Sequence, residues 1–243
     1  MKNSFLSGYI FSHLISIRKH LEEYPGKKNP EQVHRLRVDI KKLRAVFSFL
    51  NKTRHKRFHK KALKGLFDKA GTLRELQLNM QFLNKFSHSE NFLTSLKLKE
   101  ERLSTQFINE IPRHIKTVEN LEIHIHVAEI PSKKELKNYF KKQINKAEGF
   151  LHEKDLHHFR MRLKRMMYVY NMLPKELQKP VSLNKGYINK LQKLAGSWHD
   201  SSRAAVFFRK IRYDHLKEMK EKEKKQFDSL IKRCRNFSKE VYS

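Results

Sequence analysis

The sequence predicts an all-α fold made of two tandem copies of a four-helix unit. Three observations predict it. Apolar residues recur at spacings of three and four along almost the whole chain. Gly (7) and Pro (6) are scarce in 243 residues, which argues against a turn-rich sandwich or barrel. Segment 33–50, VHRLRVDIKKLRAVFSFL, aligns without gaps to segment 156–173, LHHFRMRLKRMMYVYNML. His34 pairs with His157, Arg37 with Arg160 and Lys41 with Lys164. A second pair, Ala70-Gly71-Thr72-Leu73-Arg74-Glu75 and Ala195-Gly196-Ser197-Trp198-His199-Asp200, has nearly the same offset. The halves are therefore copies of one unit, and helical units with short connections pack as antiparallel bundles.

Taken in order, Leu6, Ile10, Leu14, Ile17 and Leu21 form the stripe of a first helix, stopped by Glu-Tyr-Pro-Gly. Asn29-Pro30-Glu31 starts a second: a capping side chain, a proline in the first turn, then an acid near the positive end of the dipole. Its apolar side carries Val33, Leu36, Ile40, Leu43, Phe47 and Leu50. A third helix is expected from about Arg54 to Phe86, with Gly71 as a candidate kink, and a fourth from about Glu90 to Ile111. Leu121–Val127 alternates with period two but has no partner strand, so 112–131 reads as an extended linker. The helical pattern resumes at Ser132 with Leu136, Phe140, Ile144, Ala147 and Leu151. Phe159, Leu163, Met166, Tyr170 and Leu173 follow, ended by Pro174. Helices from about Ser182 to Tyr213 and His215 to Tyr242 complete the chain. The halves are thus about 1–111 and 132–243.

Lys and Arg total 54 against 25 Asp and Glu, a formal net charge of +29. Such charge opposes compaction by self-repulsion and suits a polyanionic partner. Cys234 is the single cysteine, which excludes a disulfide framework or a thiolate metal cage built by one chain and fits a reducing compartment. No apolar run approaches the roughly 20 residues that span a bilayer, and Ser and His interrupt the N-terminal apolar stretch, so neither a membrane span nor a signal peptide is expected. The expectation is a soluble, cytoplasmic protein.

At about 100° per residue from His34, Arg37 falls near 300°, Lys41 near 340° and Arg44 near 280°. These four share one narrow stripe on the flank of the core face, and His157, Arg160 and Lys164 repeat it. Like charges at i,i+3 or i,i+4 destabilise a helix by about 0.2–0.5 kcal/mol a pair, and the acid Asp39 lies away from the stripe. A chain of phosphates would reverse the sign of this effect, with Arg giving planar multi-donor contacts and Lys a point charge. Charge runs are usually solvated faces, and the final helix, with Glu218/Lys222 and Glu221/Lys225 in favourable order, fits that reading. The repeated stripe does not, because it is single-signed, core-flanking and duplicated.

These segments carry a family resemblance. NPEQVHRLRVDIKKLRAVF closely resembles the signature of the CHAD family, the conserved-histidine α-helical domain, and LHHFRMRLKRMMYVY looks like its second-half signature. AGTLRELQ and LQKLAGSWHDSSRA look like the family's paired Leu-Gly-and-acid segments. The resemblance covers nearly the whole chain. It implies two four-helix bundles related by pseudo-twofold symmetry, with a basic groove or central pore between them. It also implies binding of inorganic polyphosphate and association with polyphosphate granules. Carried over, the binding residues are His34, Arg37, Lys41 and Arg44, then His157, Arg160 and Lys164; Lys42, Arg74, Arg165 and Arg203 are additional candidate anion contacts. Two departures stand out: Met167 occupies the place of Arg44, and His199 that of Arg74. No triphosphate-tunnel catalytic domain accompanies the pattern.

Other features admit two readings. Arg54–Arg57 with His59, Lys60, Lys61 and Lys64, and the set Lys134, Lys137 and Lys141, either extend an anion groove or form solvated surface. Arg74 and Arg203 either reach the groove or pair with Glu75 and Asp200. Trp198 is expected in the core. His157-His158 and His124/His126 lack the carboxylate or thiolate partners that complete metal sites, so no metal or other cofactor is expected. There is no Gly-rich phosphate loop, nucleophile elbow or acidic cluster for Mg²⁺, so a non-catalytic binding module is expected. The alternative is a nucleic-acid-binding helical protein; the charge suits it, but most Phe residues fall on apolar stripes instead of interleaving with the cations to stack bases.

Overall fold

The structure, a computed structural model, describes residues 5–53, 61–86, 90–124, 131–211 and 216–242, leaving aside the side chains of Phe86, Asn91 and His124. The described residues are overwhelmingly helical and include no strand, apart from one isolated bridge between Leu183 and Tyr242. The chain divides into two compact units, Met1–Ile130 and Pro131–Ser243.

In the first unit, α1 (Phe5–Lys27), α2 (Pro30–Thr53), α3 (Lys64–Phe86) and α4 (Glu90–His124) close a ring: α1 packs on α2 and α4, and α3 on α2 and α4. The expected stripes make its core. Leu6, Ile10, Leu14, Ile17 and Leu21 are fully buried, as are Val33, Ile40, Leu43, Phe47 and Leu50 from α2. Asn29 caps α2 by accepting the Glu31 amide at 2.9 Å.

The linker expected at 112–131 is corrected. Helix α4 continues through Pro112 to His124. Its buried residues Phe107, Ile111, Val118 and Leu121 keep the helical period and pack toward the bundle. That burial outweighs the backbone hydrogen bond proline cannot donate, and it makes Leu121–His124 helical despite their alternation. Residues 125–130 lie outside the described set. Likewise α1 runs past Pro25 to Lys27, anchored by the buried Tyr24, whose hydroxyl is 3.0 Å from that of Ser104 on α4. Helix α3 is continuous through Gly71, so no break occurs there.

In the second unit, α5 (Lys133–His152) packs on α6 (Leu156–Met172), α6 on α8 (Lys185–Lys210), and α8 on α9 (Leu216–Arg233). A short α7 (Lys175–Gln178) and a 3-10 turn (Lys179–Val181) connect α6 to α8. Helix α5 opens with a complete capping box: Ser132 accepts the Glu135 amide, and the Glu135 carboxylate accepts the Ser132 amide. Leu173 is extended ahead of Pro174, which ends α6 as expected. The last helix is interrupted at Cys234–Asn236, and a one-turn α10 (Phe237–Glu240) docks on α5, where Ser238 donates to Glu148.

A polar cluster joins α1 to α2 beside the apolar seam. Asp39 is 7% exposed and accepts from the Ser16 hydroxyl at 2.7 Å; His13 Nδ1 lies 3.0 Å from one of its oxygens and His20 Nε2 3.7 Å from the other. Burial pushes the Asp39 carboxyl up, but hydrogen bonds from His13 and Ser16 outweigh it, and its pKa is lowered overall. A lowered carboxyl pKa adds stability above the ordinary carboxylate range, and this is lost as pH falls through the lowered value. Asp39→Ala, which strands these partners, is expected to cost about 3 kcal/mol in urea denaturation at pH 7. The difference from the parent protein should shrink in strong acid.

Candidate anion-binding site

Helix α2 presents the first basic stripe toward α3. The Phe67 ring, half-buried on α3, gathers three of its cations: the Arg37 guanidinium carbon is 4.1 Å from the ring centroid, Arg44 5.0 Å and the Lys41 ammonium 5.9 Å. Arg37 also donates through Nη1 to the Phe67 carbonyl. One turn on, Gly71 makes room for it, since a Cβ there would stand 2.5 Å from Arg37 Nη1 and 3.3 Å from Cζ. Each cation–π contact at such a site is worth about 0.5–1 kcal/mol. That at least matches the repulsion of roughly 0.2–0.5 kcal/mol in each of the pairs 37/41 and 41/44. The ring thus allows like charges to be held side by side on one flank.

Arg74 extends this face of α3. It is half-buried, and burial lowers its pKa while Glu31 at the start of α2 partly offsets the effect. Phe67 beside Arg44 and Arg74 near Glu31 mean that α2 and α3 run antiparallel. His34 is exposed on the same flank. Lys42 turns elsewhere, its ammonium 3.4 Å from Asp39 in the polar cluster.

Helix α6 presents the second stripe toward α8. Burial pushes the Arg160 guanidinium and the Lys164 ammonium below their ordinary values; Arg160 adds repulsion on Lys164, and Asp200 on α8 offsets part of both effects. Arg203 lies close enough to repel Arg160. Arg160 Nε is shielded from solvent and has no hydrogen-bond partner among the described residues. His157 stacks on His199, ring centroids 5.3 Å apart and planes at 25°. Burial, then the positive charge of His199, His158 and Arg160, lowers the His157 pKa.

The two faces differ where their sequences do. Met167, at the place of Arg44, is buried in the core. Gln192 stands where Phe67 would, and a Cβ added to Gly196 would meet nothing within 4 Å, in contrast to the guanidinium packed on Gly71. Arg162 and Arg165 belong to the other side of α6: Arg162 donates to Gln143 on α5 at 2.8 Å, and Arg165 lies within electrostatic reach of Tyr139. His158 is the cap partner of α6, with Nδ1 2.6 Å from Asp155.

Of the remaining candidates, Lys134, Lys137 and Lys141 are exposed, as are Lys61 and Lys64; residues 54–60 and His126 lie outside the described residues. Trp198, expected in the core, is only half-buried; its ring and that of His199 meet edge to face with centroids 6.5 Å apart. Among the described residues no group of three or more His, Cys, Asp or Glu side chains is placed to hold a metal ion, and no helix is long and apolar enough to cross a membrane. Sequence patterns did not single out Phe67 or the Asp39 cluster. The signals available were weak: Phe67 lies one turn before Gly71 on the α3 face that carries Arg74, and His13, Ser16 and His20 share one flank of α1.

An all-helical protein of two compact units with a cationic face in each is the class these features define. The chain belongs to the CHAD family: the model of that family, the CHAD domain, matches residues 8–209. Among solved structures, the crystal structure of the CHAD domain from the plant Ricinus communis is similar, with a TM-score of 0.64 at 10% identity, covering 97% of this chain and 89% of that one. Comparison with curated proteins gives no match.

The two glycines separate packing from propensity. Gly196→Ala is expected to raise stability by about 0.5–1 kcal/mol, the ordinary gain inside a helix. Gly71→Ala should show no such gain, because it displaces Arg37 from Phe67. Parallel urea denaturation of the two variants measures the contrast.

Proposed function

We propose that this chain binds inorganic polyphosphate through the α2 and α6 basic stripes, acting together on one polyanion and without turning it over, as a module that associates with polyphosphate granules in the cytoplasm. The observation that carries this reading is the matched pair of stripes: three cations gathered on Phe67 in the first unit, and Arg160 with Lys164, desolvated and mutually repelling, in the second. Both arrangements hold positive charge that a string of phosphates relieves, through charge-assisted hydrogen bonds and the release of counterions. Membership of the family and the resemblance of these segments to its signatures support the same ligand.

Nucleic acid is the second reading, on charge. Aromatic placement speaks against it. Phe47, Phe140 and Phe159 are buried, and the Phe67 ring is engaged by the stripe's own cations, so these rings offer no platform for bases.

Titration with polyphosphates of defined length at two salt concentrations tests the reading. Affinity is expected to fall steeply with salt and to rise with chain length until both faces are engaged. Length-independent binding, or displacement by RNA or DNA at equal charge concentration, would count against it. Arg37→Glu with Arg160→Glu is expected to abolish binding with helix content by circular dichroism unchanged. Lys222→Glu with Lys225→Glu, both exposed on α9, makes the same change in net charge and should do little. Equal losses from the two pairs would mean that only bulk charge matters.

A further inference from the structure

The second unit replaces Arg74 of the first by a histidine. His199 is held flat against His157, at the head of the α6 stripe. Its Nδ1 is shielded from solvent and lies 3.6 Å from Asp200 Oδ1, beyond good hydrogen-bond distance but within ion-pair range, and His199 is the leading cause that holds the Asp200 carboxyl below its usual value. The groups facing this pair are Asp155, His158, Arg160 and Lys164 on α6, with Asp200 and Arg203 on α8. Asp155 is committed to capping α6 and to His158, and Asp200 is shared between His199 and two further cations, Arg160 and Lys164. At His157, stacked on a second imidazole next to an arginine and a lysine, a further positive charge is disfavoured until an anion arrives.

We propose that His199 is a further polyanion-binding residue, and that the His157–His199 pair takes up a proton when the second unit engages its ligand, so that affinity there depends on pH where the first unit relies on Arg74. The inference rests on the polyphosphate reading above. The physical sequence is short. In the unliganded protein, burial and the neighbouring cations keep His157 neutral to lower pH than usual. Bound phosphate reverses the local field and favours imidazolium, which then donates to the phosphate oxygens from both rings. Linkage requires that a proton gained on binding makes binding tighter as pH falls. A shift of one unit in a single imidazole gives roughly a fivefold change across pH 8 to 6.

The test uses the full chain and a polyphosphate of fixed length, by calorimetry at pH 6 and pH 8. Measurement in two buffers of different ionisation enthalpy at pH 7 counts protons taken up. His34 of the first unit is present in every protein compared, so differences between variants report on the second unit. The parent is expected to bind about fivefold tighter at pH 6 than at pH 8, with net proton uptake. His199→Arg, which restores the first unit's residue type, should bind more tightly than the parent at pH 8 and keep only the part of the pH dependence that belongs to His157. His157→Gln with His199→Gln, which removes both imidazoles, should lose the pH dependence and the second unit's proton uptake and bind weakly at both values. If both variants keep the parent's slope and proton uptake, the inference is overturned while the polyphosphate reading stands. If the parent binds polyphosphate at neither pH, that reading fails and this one with it.

Discussion

Concentrating like charge on one helix flank without unfolding it is the constraint around which the first unit's site is built. The contact that meets it is Arg37 on α3, with its guanidinium over Phe67, its Nη1 on the Phe67 carbonyl and its bulk in the space left by Gly71. An acid could neutralise such a stripe more strongly, but it would cancel the concentrated charge. A ring face attracts cations without adding a negative counter-charge. The one acid in the middle of α2, Asp39, is turned into the polar cluster with α1, where it takes Lys42 with it. Charge sorting on α2 is therefore a matter of helix phase: the acid and its partners on one side, the stripe of cations on the other.

The second unit meets the same constraint differently. Gln192 takes the place of the ring, and the fourth position of the stripe is the buried Met167. Arg160 and Lys164 are kept near an exposed Asp200 and close to each other, with pKa values lowered by burial. Electrostatic tension is balanced by an aromatic face in the first unit and offset in part by Asp200 in the second. One repeated sequence pattern thus yields two cationic surfaces with different sensitivities to their surroundings.

Much of the fold was legible because buried stripes repeat at the helical period, and those stripes, apart from the half-buried Leu151 at the end of α5, are core residues of the structure. The fourth helix was misread at 112–131 because proline and a short alternation are local signals. The burial of Phe107, Ile111, Val118 and Leu121, which overrides them, is a tertiary fact. The basic stripe was legible because helix phase follows from spacing alone. Its partner surface was not. Nothing local marks Phe67 as the ring beneath the cations, since it reads as one more apolar residue on α3, and Gly71 reads as a kink until Arg37 is seen to lie against it. Lys42 and Arg165 show the converse limit. Each is adjacent in sequence to a stripe residue, and adjacency on a helix turns a side chain by about 100°. That rotation carries Lys42 to Asp39 and Arg165 to Tyr139.

The paired glycines sharpen the difference between a motif and its use. Gly71 and Gly196 occupy equivalent places in equivalent helices, and sequence comparison of the halves gives them one meaning. At Gly71 the place of the absent Cβ is crowded by a guanidinium; at Gly196 a Cβ would meet nothing within 4 Å. A close approach is needed only where an arginine must lie along the neighbouring helix, and in the second unit Arg160 takes no comparable position against Gly196. Its buried Nε lacks a partner among the described residues. A buried donor without an acceptor costs about 1–3 kcal/mol, and an oxygen-rich anion is a chemically simple way of supplying that acceptor. That one atom leaves the second unit's face imperfect as a protein surface.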